Sequence, residues 1–173
     1  MSSVKQPTTL GPMRRKSFED MPCSIAQFLE VAGEWWTMLV VRDAFFGVTR
    51  FDDFQSRLGI SRNVLTQRLE HLVEQGVLAR EAYQDNPPRY DYRLTPKGRA
   101  LWPVLTAMRQ WGDVWAAPDG PPVVVTHATC GQATTAVMVC DHCGEALDGS
   151  GLTVSPGPGD PDGTVLPPRL HGA

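Results

Sequence analysis

Between Ile60 and Leu94 the spacing of apolar residues changes from helical to alternating. Leu65, Leu69 and Leu72 fall at i, i+4 and i+7, one apolar stripe of a helix. Ser61 is a fitting N-cap for it, and Gln75-Gly76 a fitting stop. Val77 to Gln84 then reads as a strand, Asp85-Asn86-Pro87-Pro88 as a turn, and Arg89 to Leu94 as the returning strand. Upstream, a helix starts at Pro22-Cys23-Ser24, runs to Ala32 and is broken by Gly33. A second spans Glu34 to Phe46, with Trp35, Met38, Leu39 and Arg42 at helical spacing, and stops at Gly47. Val48-Thr49 is an extended link to a third helix, Phe51 to Leu58, whose Phe51, Phe54 and Leu58 would pack on the other two. Downstream, Thr95-Pro96 starts a helix to about Trp115, with Leu101, Leu105, Met108, Trp111 and Trp115 on one stripe. Pro103 lies inside it and predicts a kink near Arg99 to Trp102. Helices followed by a hairpin with a basic return strand are the layout of a winged helix. The expected class is α+β, a winged helix-turn-helix with a two- to three-stranded wing and a small zinc-ribbon-like β module after it.

The 173 residues fit one ordinary domain and an appendage. No apolar run approaches the ~20 residues of a membrane span, and the first twenty lack a signal peptide's apolar stretch, so the expected location is the cytoplasm. The net charge of −3 hides an asymmetry. Residues 1–115 carry fifteen Lys and Arg against thirteen Asp and Glu, net +2, while residues 116–173 carry one against six, net −5. Such a mild basic bias makes nucleic-acid affinity a matter of where the charges sit. The organisation read from these shifts is a disordered arm over 1–20 (with the basic run Arg14-Arg15-Lys16), the winged-helix domain over 21–115, a Pro/Gly linker over 116–122, the cysteine module over 123–147 and a disordered tail over 148–173.

Opposite the leucine stripe, the predicted fourth helix carries Arg62, Asn63, Thr66 and Gln67 in its first two turns. Arg prefers guanine O6/N7 and Asn or Gln suits adenine N6/N7, so these four are candidate base readers of double-stranded DNA. Ser61 and the helix N-terminus can hold a phosphate. Arg89, after the Pro-Pro tip, either reaches minor groove or phosphate or pairs with Asp91 or Asp85. Thr49, Arg50 and Arg68 are further phosphate candidates, although Arg68 can equally pair with Glu34 or Asp43.

Three of the four cysteines crowd into fourteen residues. His127-x2-Cys130-Gly and Cys140-x2-Cys143-Gly form two matching knuckles, and Gln132 to Val139 between them reads as a strand. One His and three Cys suit a closed, structural zinc site, with His142 as a spare imidazole. A metal-free ribbon and a Cys140–Cys143 redox pair are the other readings. Cys23, where a helix begins, is either a thiol activated by the helix N-terminus or a small packing residue.

Cys23-Ser-Ile-Ala, Gly33-Glu-Trp-Trp-Thr, Arg50-Phe-Asp-Asp-Phe and Ser61-Arg-Asn-Val-Leu-Thr-Gln-Arg-Leu resemble HxlR-type transcriptional regulators, in order and in spacing. Gly76-Val-Leu-Ala-Arg, Pro87-Pro-Arg-Tyr-Asp-Tyr and Leu94-Thr-Pro-Lys-Gly-Arg-Ala-Leu continue the resemblance. It implies a bacterial winged-helix dimer that binds operator DNA and represses or activates nearby genes. It also implies, for some members, sensing of electrophiles or oxidants through a cysteine at the place of Cys23. Glu34 stands where a Lys is frequent, and the chain continues well beyond the family's usual end near Trp115.

The expected function is therefore a non-enzymatic, sequence-specific regulator, foremost a repressor. It would dimerise through the N-terminal helix and the helix Thr95–Trp115 and read a pseudo-palindrome with two recognition helices. The alternative is a winged-helix and zinc-ribbon adaptor that binds protein rather than DNA. Ser, His and acidic residues show no nucleophile arrangement that would support an enzyme.

Overall fold

The computed structural model describes residues 17–160 and 162–164. Its elements are α1 (Ser24–Ala32), α2 (Thr37–Phe45), α3 (Phe51–Leu58), α4 (Arg62–Glu74), β1 (Leu78–Asp85), β2 (Pro88–Leu94), α5 (Pro96–Arg99) and α6 (Trp102–Trp115). No helix among the described residues is long and apolar enough to cross a membrane.

The core forms where the apolar stripes converge. Leu65, Leu69 and Leu72 of α4 are fully buried, together with Val40 and Val41 of α2, Phe54 of α3, and Val77 and Leu78 at the start of the wing. Burying a side chain of this size contributes about 1.5–3 kcal/mol. Apolar positions from three helices and the wing thus meet in one cluster and hold the fourth helix by its back. Tyr92 closes the cluster from β2. Burial pushes its hydroxyl above the ordinary tyrosine value, so it sits in the core as a neutral phenol.

Gly59 takes φ 65°, the left-handed conformation that ends α3 and turns the chain into Ser61. There the Ser61 hydroxyl accepts from the Val64 N–H at 3.3 Å, the cap that the sequence predicts. The wing is an antiparallel pair running from Leu78↔Leu94 to Asp85↔Pro88, with an irregularity between Ala82 and Gln84. A third, single-residue partner is Arg50, bridged to Asp91. The Tyr92 N–H donates to the Thr49 carbonyl at 2.8 Å, fastening the α2–α3 link to the wing.

Two expectations need correction. The helix from Thr95 to Trp115 is not one kinked rod but two helices, α5 and α6. Pro103 sits in the first turn of α6, where a missing N–H leaves no hydrogen bond unmade, so the chain restarts its helix there. Gly98 of α5 lies so close to the base of the wing that an added Cβ would run into the Val77 carbonyl oxygen and approach Leu94 Cδ2 at 2.9 Å. The span from Gln132 to Val139, in turn, is not a strand. Within it only Ala133 and Val139 are paired, in the isolated bridges Thr126↔Ala133 and Val139↔Ala146.

The basic run Arg14-Arg15-Lys16 lies outside the described residues. Residues 17–20, assigned to the arm by sequence, are tied to α1. Ser17 Oγ donates to Glu30 at 3.2 Å, and the Phe18 N–H donates to the same carboxylate. Gln27 Nε2 donates to the carbonyls of Phe18, Glu19 and Met21. The tail from 148 to 160 has no helix or strand and is almost wholly exposed.

Candidate nucleic-acid interface

The buried leucines leave the other face of α4 in solvent. Ser61, Arg62, Asn63 and Gln67 are exposed, and Thr66 is half-buried with its hydroxyl donating to the Arg62 carbonyl at 2.9 Å. The one hydroxyl proton of Thr66 is therefore committed inside the helix and not offered outward as the sequence pattern suggests. Arg68 is further from that role. Its guanidinium is 3.6 Å from Glu34 and its side chain only 19% exposed, which is one of the two pairings read from sequence.

Three arginines converge beside the helix. Arg50, Arg62 and Arg89 line one groove of about 510 Å³ between the start of α3, the start of α4 and the wing tip, together with Asp52, Asp53 and Tyr83. The Arg62 guanidinium lies 4.6 Å from the Phe51 ring and 3.6 Å from Asp52. Both members of that ion pair are more than 70% exposed, so the pair is weak. The Arg50 guanidinium rests 4.6 Å from the Tyr83 ring and 3.9 Å from Asp91. Arg89 is exposed and has no ion pair among the described residues, because Asp91 is taken by Arg93 at 3.0 Å and by Arg50. Of the two readings of Arg89, pairing with Asp91 or Asp85 is thus not realised. Thr49 Oγ1 donates to Asp91 at 3.0 Å, which makes it a brace of the wing first.

Sequence reasoning missed the two aromatic shelves. Phe51 reads as a core residue of α3, and Tyr83 as an ordinary strand position. Phe51 does pack against the core from α3, and both rings in addition support an arginine by cation–π contact, narrowing the directions it can point. Phe51 precedes Arg62 by eleven positions and Tyr83 follows Arg50 by thirty-three, so no local spacing signals either pair.

The predicted metal ligands form two pairs. Cys130 Sγ lies 3.4 Å from His127 Nδ1, and the backbone N–H groups of Cys143 and His142, with the Cys143 side chain, hold the Cys140 thiol below its ordinary value. Among the described residues no three of His, Cys, Asp and Glu are gathered at one point. All four cysteines are free thiols, and Cys23 is half-buried as the backbone N-cap of α1.

Known proteins resemble this chain. Residues 31–120 match the model of the HxlR-like helix-turn-helix family. The HTH-type transcriptional regulator Mb3122 of Mycobacterium bovis is 44% identical over 137 residues, 79% of this chain and 87% of its own length. Any stretch of that length must extend to residue 137 or beyond, so the likeness passes the helix-turn-helix region and enters the cysteine module. A shorter relative is the HTH-type transcriptional regulator sll1512 of Synechocystis, 37% identical over 94 residues, 54% of this chain and 70% of its own. The crystal structure of PA1607, titled a transcription factor, superposes with a TM-score of 0.72 at 42% identity, covering 81% of this chain and 99% of that one. The solved structure of PA1374 from Pseudomonas aeruginosa, also named a transcription factor, gives 0.59 at 40%, covering 79% and 93%. With its capped polar-faced helix, its wing and these relatives, the chain belongs to the HxlR-like helix-turn-helix family.

Proposed function

We propose that this DNA-binding transcriptional regulator lays α4 in the major groove of operator DNA while Arg50 and Arg89 hold the flanking backbone. The observation that carries the reading is the shared groove of Arg50, Arg62 and Arg89 beside an exposed Asn63 and Gln67. Arg62 is the reader of guanine, and Asn63 or Gln67 of adenine, each good pair discriminating by about 1–3 kcal/mol. Ser61 and the α4 N-terminus, with Thr49 behind Arg50, fix the register on phosphate. The protein acts by occupying a promoter in the cytoplasm, as a repressor, and its work is binding rather than catalysis.

The operator-binding unit is a homodimer. No residue of α6 is buried within the chain. Trp111, Val114 and Trp115 are each at least 65% exposed, and on α1 Ile25 is 71% exposed. A single subunit that leaves so much apolar surface on its two terminal helices has a place for a second copy. Cys23, at the start of α1, is then where a thiol modifier would alter the spacing of the two recognition helices.

Gel shift against the chain's own upstream region tests this, with wild type and an Arg62→Ala/Gln67→Ala variant. The wild type should bind with a steep loss of affinity as salt rises, and the variant should lose its preference for that region. A complete lack of binding, or a variant that binds unchanged at every salt concentration, would favour the protein-binding adaptor instead.

A further inference from the structure

We propose that the two turns His127–Gly131 and Cys140–Gly144 close on one zinc ion, held by His127, Cys130, Cys140 and Cys143. This goes beyond the regulator reading and does not depend on it. The two turns are the same structure written twice. The His127 N–H donates to the Gln132 carbonyl at 2.9 Å, and the Cys140 N–H to that of Glu145 at 2.8 Å. The N–H of Gly131 donates back to His127, and that of Gly144 to Cys140, both at 2.8 Å. Thr134 donates to Val125 as Leu147 does to Met138, again at 2.8 Å. Gly131 and Gly144 take φ 70° and 75°, left-handed values that a side chain would strain.

What the two copies keep is as informative as what they change. Between the first and fourth positions stand Ala128-Thr129 in one turn and Asp141-His142 in the other, with no chemistry in common. The first and fourth positions themselves are His and Cys in one and Cys and Cys in the other. A tight turn alone has no need of either residue type there. Zinc does, because an x2 spacing places two donors on adjacent corners of a tetrahedron. The distance agrees: Zn–S of ~2.3 Å and Zn–N of ~2.0–2.1 Å at the tetrahedral angle set N···S at about 3.5 Å. Cys130 Sγ and His127 Nδ1 stand 3.4 Å apart.

The module also has no buried core of its own. No residue from 123 to 147 is buried, and Val124, Val137 and Met138 are each at least 65% exposed. A segment this short cannot bury a core of its own, and a structural ion is the usual substitute. The two pairs stand apart in the chain, joined by the exposed, irregular stretch 134–138. One ion would draw them together, with the stretch already tethered to α6 where Gln110 Nε2 donates to the Ala136 carbonyl at 2.8 Å.

The test is zinc content of the full chain purified under reducing conditions, with cobalt titration as a second readout. Wild type should hold about one zinc per chain, and cobalt should produce intense thiolate-to-metal bands of a tetrahedral site. Cys130→Ser and Cys140→Ser, one from each turn, should each lower zinc affinity by about tenfold or more, and so should His127→Ala. His142→Ala should keep the ion. Wild type without zinc and without cobalt bands overturns the proposal, whatever the variants do. So does full zinc retention in Cys130→Ser or His127→Ala, or a mass showing Cys140 and Cys143 joined as a disulfide in the reduced preparation.

Discussion

Arg57 of α3 reaches Asp43 of α2 at 3.3 Å, and Arg42 takes the other oxygen of that carboxylate at 2.9 Å. Asp43 is fully buried, whereas the two arginines are partly exposed, so the acid is enclosed and its partners remain hydrated. The pair fastens the two helices that stand behind α4, where the leucines seat. Asp43→Ala removes the acceptor of both bonds and should lower unfolding free energy by about 1.5–3 kcal/mol, as hydrogen bonds to charged groups do. Urea unfolding followed by circular dichroism measures it. An unchanged midpoint would mean that the ion pair contributes nothing net.

Arg89→Ala should weaken DNA binding by a similar factor on every sequence and flatten the salt dependence by about one unit of slope. The reason is its exposure at the wing tip, with no ion pair among the described residues. Fluorescence anisotropy on specific and scrambled duplexes over a salt series separates the outcomes. Loss confined to one sequence would instead make Arg89 a base reader.

Trp111→Asp places a charge in the exposed apolar surface of α6 without touching the core. Light scattering should then find a monomer where wild type is a dimer, with operator affinity falling alongside. A wild type that is monomeric at micromolar concentration, or a Trp111→Asp that stays dimeric, contradicts the proposed assembly.

Gly98→Ala should cost about 1–3 kcal/mol, the usual penalty of overpacking, because the new methyl meets the Val77 carbonyl rather than a movable side chain. Thermal unfolding would register this. Gly112→Ala, where nothing stands within 4 Å, is the control and should be neutral or stabilising.

Cys23→Ser should leave operator binding intact under reducing conditions and remove any release of DNA by a thiol oxidant. A variant as oxidant-sensitive as wild type in gel shift moves the response to the other cysteines or away from thiols altogether.

Much of the fold was legible in the sequence because it is governed by neighbours. The i, i+4, i+7 leucines, the Ser61 cap, the Gly76 stop and the Pro-Pro hairpin depend on residues within a few positions, and all appear where expected. The break between α5 and α6 is not legible in the sequence because a proline inside an apolar stripe has two local solutions, a bend or a restart. The tight approach of Gly98 to Val77, a tertiary contact, accompanies the second.

The amino-acid order alone determined which face of α4 is apolar, where it begins, and which side chains stand on its outer face. Tertiary structure decided which of those side chains are at liberty to act. Arg68 turned to Glu34, Thr49 to Asp91 forty-two residues away, and Arg50, Arg62 and Arg89 came to line a single groove on two aromatic supports. Helical and strand periods are set by backbone geometry within one element, whereas charge pairing follows distances between elements that only packing of the core brings together.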